Sequence, residues 1–322
     1  MSERPTNELG VFAGSGSGRL VHAITDLLHI EPGRSESIRY SDDNTLVRIL
    51  ENVRGKDVFI VQTLSRPVNA RFMELVFWID AFHRASAREV TAVIPYFSYA
   101  KGDKKDEPRV SIRARACADC LEAVGVDRVL TMDLHAPQIQ GFFRVPVDHL
   151  YAASDLIKQV KAREGPDNWV VVSPDAGYAK MARTHARLLG APFALAEKIR
   201  TDHLGKPQIQ YIIGEVKGRR ALIVDDFTTT GGTLIAAAQR LLEKGVTEVY
   251  AAVSHGPLSP DSCETIAQSP LRRLFITDTV EHDSGDLPQN VTVVSVAALF
   301  ARAIHSIFNR TSVSGLFPEQ GS

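Results

Sequence analysis

The chain has 322 residues, of which 44% are hydrophobic, and its 37 basic and 38 acidic residues give a formal net charge of −1 at pH 7. This balance argues against nucleic-acid binding, which usually requires a basic face, and no apolar run approaches the ~18 residues of a membrane span. A chain of this length is expected to form two domains with sizeable cores.

The N-terminal stretch MSERPTNELG is polar and lacks the apolar core of a signal peptide, and the chain contains three cysteines. Both features predict a reduced, cytoplasmic compartment. Cys117 and Cys120 form a CxxC pair, but Cys263 alone does not complete a metal site. All three are therefore predicted to be ordinary buried or half-buried thiols.

Short apolar, β-branched segments alternate with segments of helical periodicity. In the first half, the predicted strands are 57–62, 89–95 and 128–133, and the predicted helices are 69–86 and 111–124. In the second half, strands at 169–173, 221–226, 248–254 and 273–278 alternate with helices at 176–189, 232–244 and 260–268. This alternation is typical of an α/β protein with mostly parallel sheets covered on both faces.

The two halves resemble copies of one unit. VRGKDVFIVQT (53–63) aligns with VKGRRALIVDD (216–226), REVTAVIP (88–95) with TEVYAAVS (247–254), and DRVLTMD (127–133) with RRLFITD (272–278). The alternative is a coincidence among Val-rich strands. The pattern favours a duplicated α/β domain with a boundary near 150–165, which divides the chain into domains 1–152 and 153–322.

The duplication is asymmetric at one strand end. The second copy has Asp225 and Asp226 where the first has Gln62 and Thr63. The acids belong to the segment LIVDDFTTTGGTL (222–234), in which a Gly/Thr loop precedes a predicted helix. Such a loop can direct several backbone N–H groups at one anion, and carboxylates accept hydrogen bonds from adjacent hydroxyls. Together they predict a phosphorylated sugar as ligand; the alternative is an Asp-capped helix after a tight turn.

The segment LIVDDFTTTGGTL is similar to the ribose-phosphate binding motif of phosphoribosyltransferases and of 5-phosphoribosyl-1-diphosphate (PRPP) synthases. The blocks 66–109, DRVLTMDLHAPQIQGFFRVPVDHLYA (127–152), VVVSPDAG (170–177), EKIR (197–200) and SVSGLF (312–317) resemble PRPP synthases specifically. The similarity runs from about residue 9 to 317. The chain is therefore identified as a member of the ribose-phosphate diphosphokinase family or a close paralogue.

This resemblance implies two tandem phosphoribosyltransferase-type domains with the active site between them. It implies transfer of the diphosphoryl group of ATP to the C1 hydroxyl of ribose 5-phosphate, with Mg²⁺ as cofactor and with PRPP and AMP as products. It also implies a cytoplasmic homo-oligomer, built from dimers or assembled as a hexamer, in which a neighbouring subunit completes the nucleotide site. No nucleic-acid or membrane partner is expected.

The resemblance also implies three sets of site residues. The catalytic groups would be His135 together with Lys198 and Arg200, the basic pair of a mobile loop, and His135 and Asp175 would hold the metal and triphosphate. The ribose 5-phosphate site, in the domain 153–322, would comprise Asp225, Asp226, Thr229, Thr230, Gly231, Gly232 and Thr233. The nucleotide would be contacted by Tyr40, Asp42, Asn44, Lys101 and Gly102. Without the resemblance, a single His after a strand and two basic residues in a polar loop would more often be structural or solvated.

The chain departs from the common form of the family mainly around the nucleotide. RYSDDN (39–44) stands for RFSDGE and YAKG (99–102) for YARQ, so Lys101 replaces an arginine and cannot give its flat, two-pronged contact. Gly102 is expected to open space beside the base and to loosen donor selection. Further departures are Tyr178, Ile199 and Thr229.

Three functional hypotheses remain at this stage. The first is a PRPP synthase that uses ATP and Mg²⁺. The second is a non-catalytic or donor-altered paralogue with a regulatory role, for which the altered nucleotide segment leaves room. The third is a phosphoribosyltransferase, which the N-terminal copy and the MDLH block (132–135) argue against.

Overall fold

A computed structural model describes residues 8–199, 208–283 and 285–316 of the chain. Its helices are α1 (Gly18–Leu28), α2 (Val68–Arg84), α3 (Arg113–Ala123), α4 (Ala153–Glu164), α5 (Ala179–Leu189), α6 (Gly232–Glu243), α7 (Pro260–Ala267) and α8 (Ala297–Phe308). Short 3-10 helices lie at Ser98–Gly102, Pro137–Phe142 and Ser314–Leu316.

The strands of the described residues are β1 (Leu9–Ala13), β2 (Ser35–Arg39), β3 (Thr45–Ile49), β4 (Asp57–Val61), β5 (Glu89–Ile94), β6 (Arg128–Met132), β7 (Val147–Leu150), β8 (Trp169–Ser173), β9 (Phe193–Ile199), β10 (Gln208–Ile213), β11 (Arg220–Phe227), β12 (Glu248–His255), β13 (Leu271–Thr277) and β14 (Val291–Val294). Every strand and helix predicted from the sequence is present, with ends shifted by a few residues.

The chain forms two compact units. The first contains the described residues up to Tyr151, together with Thr279–Glu281 and the described residues from Ala297 onwards. The second contains Ala152–Asp278 and the described part of His282–Val296. The last helix, α8, therefore belongs to the first unit, where it packs against α1.

Each unit is built on a mostly parallel sheet. In the first, the strand order is β1-β4-β5-β6-β7 with parallel pairing throughout, and β2 and β3 form a separate antiparallel hairpin. In the second, the order is β10-β9-β8-β11-β12-β13-β14, and the β9–β10 pair is antiparallel. These sheets confirm the predicted α/β class.

The strand orders also support the predicted duplication. The aligned segments are β4 with β11, β5 with β12, and β6 with β13. The members of each pair hold the same rank when the strands are counted from the β7 edge of the first sheet and the β14 edge of the second. The flanking strands extend the match, because β1 corresponds to β8 and β7 to β14. The second sheet differs by adding its hairpin, β9 and β10, at the β8 edge.

Each unit has its own apolar core. β4 and β8 are buried at every residue, as parallel strands covered on both faces should be. In the first unit, Trp78 stacks on Phe82 at 5.7 Å between ring centroids. In the second, Trp169 packs against Tyr250 at 5.0 Å between ring centroids.

The cysteines are free thiols, and two of them, Cys117 and Cys263, are buried as predicted. The prediction was wrong for Cys120, which is exposed. Cys117 lies on the stripe of α3 that faces the core, together with Ala118 and Leu121, whereas Cys120 lies outside that stripe. Among the residues that the structure describes, no helix is both long and apolar enough to cross a membrane.

A buried polar network closes the carboxyl end of β4 in the first unit. Glu74, on the buried face of α2, is only 3% exposed. Its carboxylate accepts hydrogen bonds from Ser15 N at 3.0 Å, Gln62 Nε2 at 2.9 Å and Trp78 Nε1 at 3.2 Å. Gln62 in turn accepts from Gly16 N at 3.0 Å. Gln62, which aligns with Asp225 of the acid pair, is thus hydrogen-bonded to other groups of the protein.

We expect Glu74→Ala to destabilise the protein by about 3 kcal/mol or more, because each buried donor left without an acceptor costs ~1–3 kcal/mol. Denaturant unfolding followed by tryptophan fluorescence measures this change, since Trp78 is part of the network. The matched control is Glu36→Ala, which removes a surface ion pair with Arg48 and should cost at most ~1 kcal/mol. Equal unfolding midpoints for the two variants would contradict a structural role for the network.

Candidate active site

The carboxyl end of β11 projects beyond its neighbour β8. Pairing between these strands ends at Ile223↔Val172, whereas pairing of β11 with β12 continues to Phe227↔His255. The sheet order also reverses here, because β9 and β10 lie on the side of β8 and β12 to β14 on the side of β11. Ligands of parallel sheets bind in the crevice at such a switch point. Asp225 and Asp226 therefore lie at the position where this fold forms a ligand site.

The loop after the acid pair is held by hydrogen bonds at its start. Thr228 N donates to His255 O at 2.9 Å, and Gly231 N donates to Thr228 Oγ1 at 3.1 Å. Ser262 Oγ, from α7, donates to Thr229 O at 2.7 Å. The loop conformation is thus fixed by both β12 and α7.

Gly231 is required by this loop geometry. Its φ is +76°, a left-handed conformation that side chains disfavour, and a Cβ at this position would lie 2.9 Å from Ile266 Cγ1. The helix α6 begins immediately afterwards, at Gly232. The tight turn therefore places the N-terminus of α6 directly after the strand end.

The loop presents several hydrogen-bond donors. Thr230 and Gly232 are exposed, and Thr229 and Thr233 are half-buried. Gly232 N donates to Thr230 Oγ1 at 3.3 Å, and the first N–H groups of any helix lack intrahelical acceptors. Amides, hydroxyls and the helix dipole together form an environment suited to a phosphate.

The two acids of β11 carry an unfavourable charge arrangement. Asp226 is 5% exposed and Asp225 is half-buried, and Asp226 N donates to Asp225 Oδ1 at 3.0 Å. Burial, followed by the negative charges of Asp226 and Asp175, raises the pKa of Asp225 well above its usual range. The structure therefore brings Asp175 close enough to the pair for its charge to affect Asp225, although the two come from separate motifs in the sequence.

Asp175 follows β8 in an exposed turn. Its Oδ1 accepts a hydrogen bond from Tyr178 N at 3.1 Å, and Ser173 Oγ donates to its carbonyl at 2.7 Å. Among the described residues, no group of three or more His, Cys, Asp or Glu side chains has the arrangement of a metal site. Carboxylate oxygens nevertheless suit Mg²⁺, which commonly uses one or two of them and completes its shell with water and substrate phosphates.

His135 belongs to the first unit, where it is exposed just after β6. The chain turns sharply before it, because Asp133 has a φ of +36° and Leu134 N donates to His149 Nε2 at 2.8 Å. The turn fixes the main chain beside His135, and the catalytic and metal-binding roles of this side chain stay predictions.

The segment predicted to contact the nucleotide is the turn between β2 and β3. Tyr40 N donates to Asn44 O at 2.8 Å, and Asn44 N donates to Asp42 Oδ1 at 3.1 Å. The side chains of all three residues are exposed. Asn44 Oδ1 accepts from Thr45 N at 2.8 Å, so the turn already uses the amide oxygen, and the NH₂ group is the part of Asn44 suited to a ligand.

The expectation that Gly102 opens space was wrong. Gly102 is buried at the end of the 3-10 helix that carries Lys101, and the Arg113 side chain occupies the volume beside it. A Cβ at position 102 would lie 2.6 Å from Arg113 Nε. Sequence reasoning missed Arg113, because the two residues are separated by a mixed-charge loop and only the folded chain brings them together.

Lys198 was predicted to lie in a mobile loop, but it belongs to β9, where it pairs with Ile209 of β10. The hairpin β9–β10 thus extends the regular structure further than the polar composition of this segment suggested. Arg200, the other basic residue of that predicted loop, lies outside the described residues.

Comparison with known proteins identifies the family. Residues 9–125 match the N-terminal domain of ribose phosphate pyrophosphokinase, and residues 196–318 match the phosphoribosyl synthetase-associated domain. The ribose-phosphate pyrophosphokinase of Caldanaerobacter subterraneus subsp. tengcongensis is 45% identical over 98% of this chain and 99% of its own length. The protein of that name from Maricaulis maris is 46% identical over 95% of this chain and 99% of its own length. The chain belongs to the ribose-phosphate pyrophosphokinase family.

A solved member of the family shares the fold. The phosphoribosylpyrophosphate synthetase of Mycobacterium smegmatis superposes with a TM-score of 0.88 at 35% identity, covering 95% of this chain and 100% of its own. The resemblance inferred from sequence motifs is thereby confirmed at the level of the whole chain. Membership of the ribose-phosphate pyrophosphokinase family assigns no role to individual residues. Their roles have to be argued from the geometry described above.

The charge repulsion at the end of β11 predicts a pH-dependent stability. Because the pKa of Asp225 is raised in the folded state, the folded protein retains a proton that the unfolded chain loses near pH ~3.9. Stability therefore falls as pH rises from that value through the raised pKa. We expect Asp225→Asn to raise the melting temperature at pH 7.5 by about 2–4 °C, the shift that ~1 kcal/mol produces in a domain of this size.

This gain should vanish at pH values below ~4, where Asp225 is protonated in both states. Thermal unfolding of the protein without ligands, from about pH 3 to about pH 8, measures the difference. Asp80→Asn, which alters a surface pair with Arg84 on α2, is the control and should show no such gain. A lower melting temperature for Asp225→Asn at pH 7.5 would mean that the carboxylate is stabilised by its surroundings.

Proposed function

We propose that this chain is a ribose-phosphate diphosphokinase, which transfers the diphosphoryl group of ATP to the C1 hydroxyl of ribose 5-phosphate and releases PRPP and AMP. Relatives named ribose-phosphate pyrophosphokinase align with nearly the whole chain. The observation that carries the assignment is the acid pair at the end of β11, followed at once by an amide-rich loop and a helix N-terminus.

This arrangement fits the two ends of ribose 5-phosphate. The loop Thr229–Thr233 would bind the 5-phosphate through backbone N–H groups and hydroxyls. Asp225 and Asp226 would accept hydrogen bonds from ring hydroxyls, since an ionised carboxylate is only an acceptor. Holding both ends of the sugar orients the C1 hydroxyl, and such positioning supplies a large share of a transfer reaction's rate. The domain predicted at 153–322 would thus carry the whole sugar site.

The donor requires positive charge. Mg²⁺ would neutralise the triphosphate and would be held by Asp175 together with substrate phosphates, as this hard cation prefers. The imidazole of His135 is a poor ligand for Mg²⁺ and is better suited to hydrogen-bond a phosphate oxygen. Lys198 and Arg200 would stabilise the charge that develops on the transferred group.

The nucleotide would contact the β2–β3 turn. Tyr40 is 49% exposed and offers an aromatic face for a purine, and Asp42 offers an acceptor for an exocyclic amine. These side chains project from a hairpin tip, so a second copy of the chain could complete the site. The protein would then act as a homo-oligomer, built from dimers or assembled as a hexamer.

Incubation of the purified protein with ribose 5-phosphate, ATP and Mg²⁺ tests the proposal, and AMP and PRPP should appear in equal amounts. Asp225→Asn and Asp226→Asn should weaken sugar binding or turnover by roughly tenfold or more, since a hydrogen bond to a charged group contributes ~1.5–3 kcal/mol. Asp80→Asn is the matched control and should retain full activity.

The alternatives give different products. A phosphoribosyltransferase would consume PRPP and release diphosphate, and a regulatory paralogue would bind ligands without forming AMP. Absence of PRPP from the wild-type reaction, or full activity with unchanged sugar affinity in both Asp variants, would refute the assignment.

Lys198→Ala and Arg200→Ala test the proposed cation pair. If these groups act on the transition state, each substitution should lower kcat by about 10²–10³-fold, as removal of a preorganised donor does, with a much smaller change in KM. Steady-state kinetics with both substrates varied gives the two parameters. Lys180→Ala, at an exposed position of α5, serves as the control. An effect confined to KM would indicate ordinary substrate binding.

A further inference from the structure

Arg113 is placed beside Gly102 by the start of α3. A Cβ at position 102 would lie 2.6 Å from Arg113 Nε, 2.9 Å from its Cβ and 3.3 Å from its Cζ. The side chain of Arg113 therefore runs across the glycine. The Cβ of Arg113 is fixed to the backbone of α3. Rotation of the Arg113 side chain therefore could not relieve the 2.9 Å contact between the two Cβ atoms.

A glycine is required at position 102 because of its contact with Arg113, and not because of its backbone conformation. Gly102 is not among the glycines with positive φ, so other residues could adopt its main-chain geometry. The three atoms nearest to a Cβ at this position all belong to the side chain of Arg113. Gly102 and Arg113 thus form a matched pair, in which the absence of one side chain makes room for the other.

The position of Arg113 is unfavourable for the helix that carries it. Arg113 is the first residue of α3, where the helix dipole disfavours a positive charge, and no acidic residue lies in the first turn. Its side chain is exposed and makes neither a hydrogen bond nor an ion pair with any other residue in the described ranges. Arg115, two residues further along α3, is by contrast paired with Asp119. Helix stability therefore does not explain Arg113.

Charges of both signs lie in the segment around Gly102. Lys101 belongs to the same 3-10 helix, and the exposed Lys104 and Lys105 follow it, together with Asp103, Asp106 and Glu107. Lys104 pairs with Asp106 at 3.8 Å. Tyr99 is also near, because the charge of Arg113 opposes the increase that burial causes in the pKa of Tyr99. A guanidinium offers a planar, two-pronged donor to phosphate oxygens, which a lysine cannot do.

We propose that Arg113 binds the phosphate chain of the ATP donor and restores the two-pronged contact that Lys101 cannot make. This inference rests on the proposed function, because it places the nucleotide at Lys101 and Gly102. It makes the pair Gly102 and Arg113 the element that adapts this chain to its nucleotide.

Calorimetric titration of the purified full chain tests the inference without turnover, with ATP, inorganic tripolyphosphate and adenosine as separate ligands. Arg113→Ala should weaken the binding of ATP and tripolyphosphate by about tenfold or more, as loss of a charged contact does, and should leave adenosine binding unchanged. Arg113→Lys should recover only part of this loss. The control Arg84→Ala, on the exposed surface of α2, should bind like the wild type.

A double-substitution cycle tests the contact itself. Gly102→Ala should weaken tripolyphosphate binding by displacing Arg113, but should have no further effect in the Arg113→Ala background. Arg113→Ala should also melt at or above the wild-type temperature, because a positive charge leaves the helix N-terminus. A markedly lower melting temperature would reveal a structural role and overturn the inference.

The outcomes separate the two proposals. If the wild type forms no PRPP but binds tripolyphosphate through Arg113, the proposed function fails and this inference stands. If the wild type forms PRPP and Arg113→Ala binds ATP normally, this inference fails alone. It also fails if the wild type binds neither ATP nor tripolyphosphate, or if Arg113→Ala weakens adenosine binding and not tripolyphosphate binding.

Discussion

The candidate active site depends on holding two carboxylates together at the end of one parallel strand. Asp225 and Asp226 repel each other and are also affected by the charge of Asp175, so the protein without ligands carries an unfavourable arrangement. β11 can support it because four of its residues, 221 to 224, are fully buried. Apolar burial along the strand thus offsets the electrostatic repulsion at its end, and the proposed sugar ligand would relieve that repulsion through its hydroxyl groups.

The duplicated units treat this strand end in opposite ways. In the first unit, Gln62 is turned inward and is held by Glu74 and Gly16 N. A buried carboxylate is present in both units, but in the first it is surrounded by donors that belong to the protein itself. In the second, the acid pair is followed in the chain by the loop that we propose binds phosphate. One topology thus carries a strand end with structural partners in the first unit and a proposed ligand site in the second.

Both units also insert a hairpin at the same point of the duplicated pattern, after the first helix and before the central strand. In the first unit it is β2–β3, a separate two-stranded sheet, and in the second it is β9–β10, which joins the main sheet at β8. Proposed site residues lie on both hairpins: Tyr40, Asp42 and Asn44 on one, and Lys198 on the other. Insertion at this point changes a site without disturbing the buried strands, which explains how one duplicated core can carry two different sets of functional groups.

The sequence by itself determined the α/β class, the duplication and the acidic strand end. These features follow from local signals, since buried parallel strands are continuous apolar runs and a Gly/Thr loop after two acids is recognisable without a structure. The sequence pattern also pointed to Asp175 and to the acid pair separately. Only the pairing of β8 with β11 decided that their charges interact.

Other features depended entirely on the tertiary structure. The burial of Glu74 depends on Ser15 and Gln62, which lie outside its helix and are distant from it in the sequence. The glycine at 102 looked like open space, and the fold filled it with Arg113, eleven positions along the chain. The helix α8 packs on α1 at the far end of the sequence. Each of these depends on contacts between residues distant in the chain, and periodicity and motif spacing carry no information about such contacts.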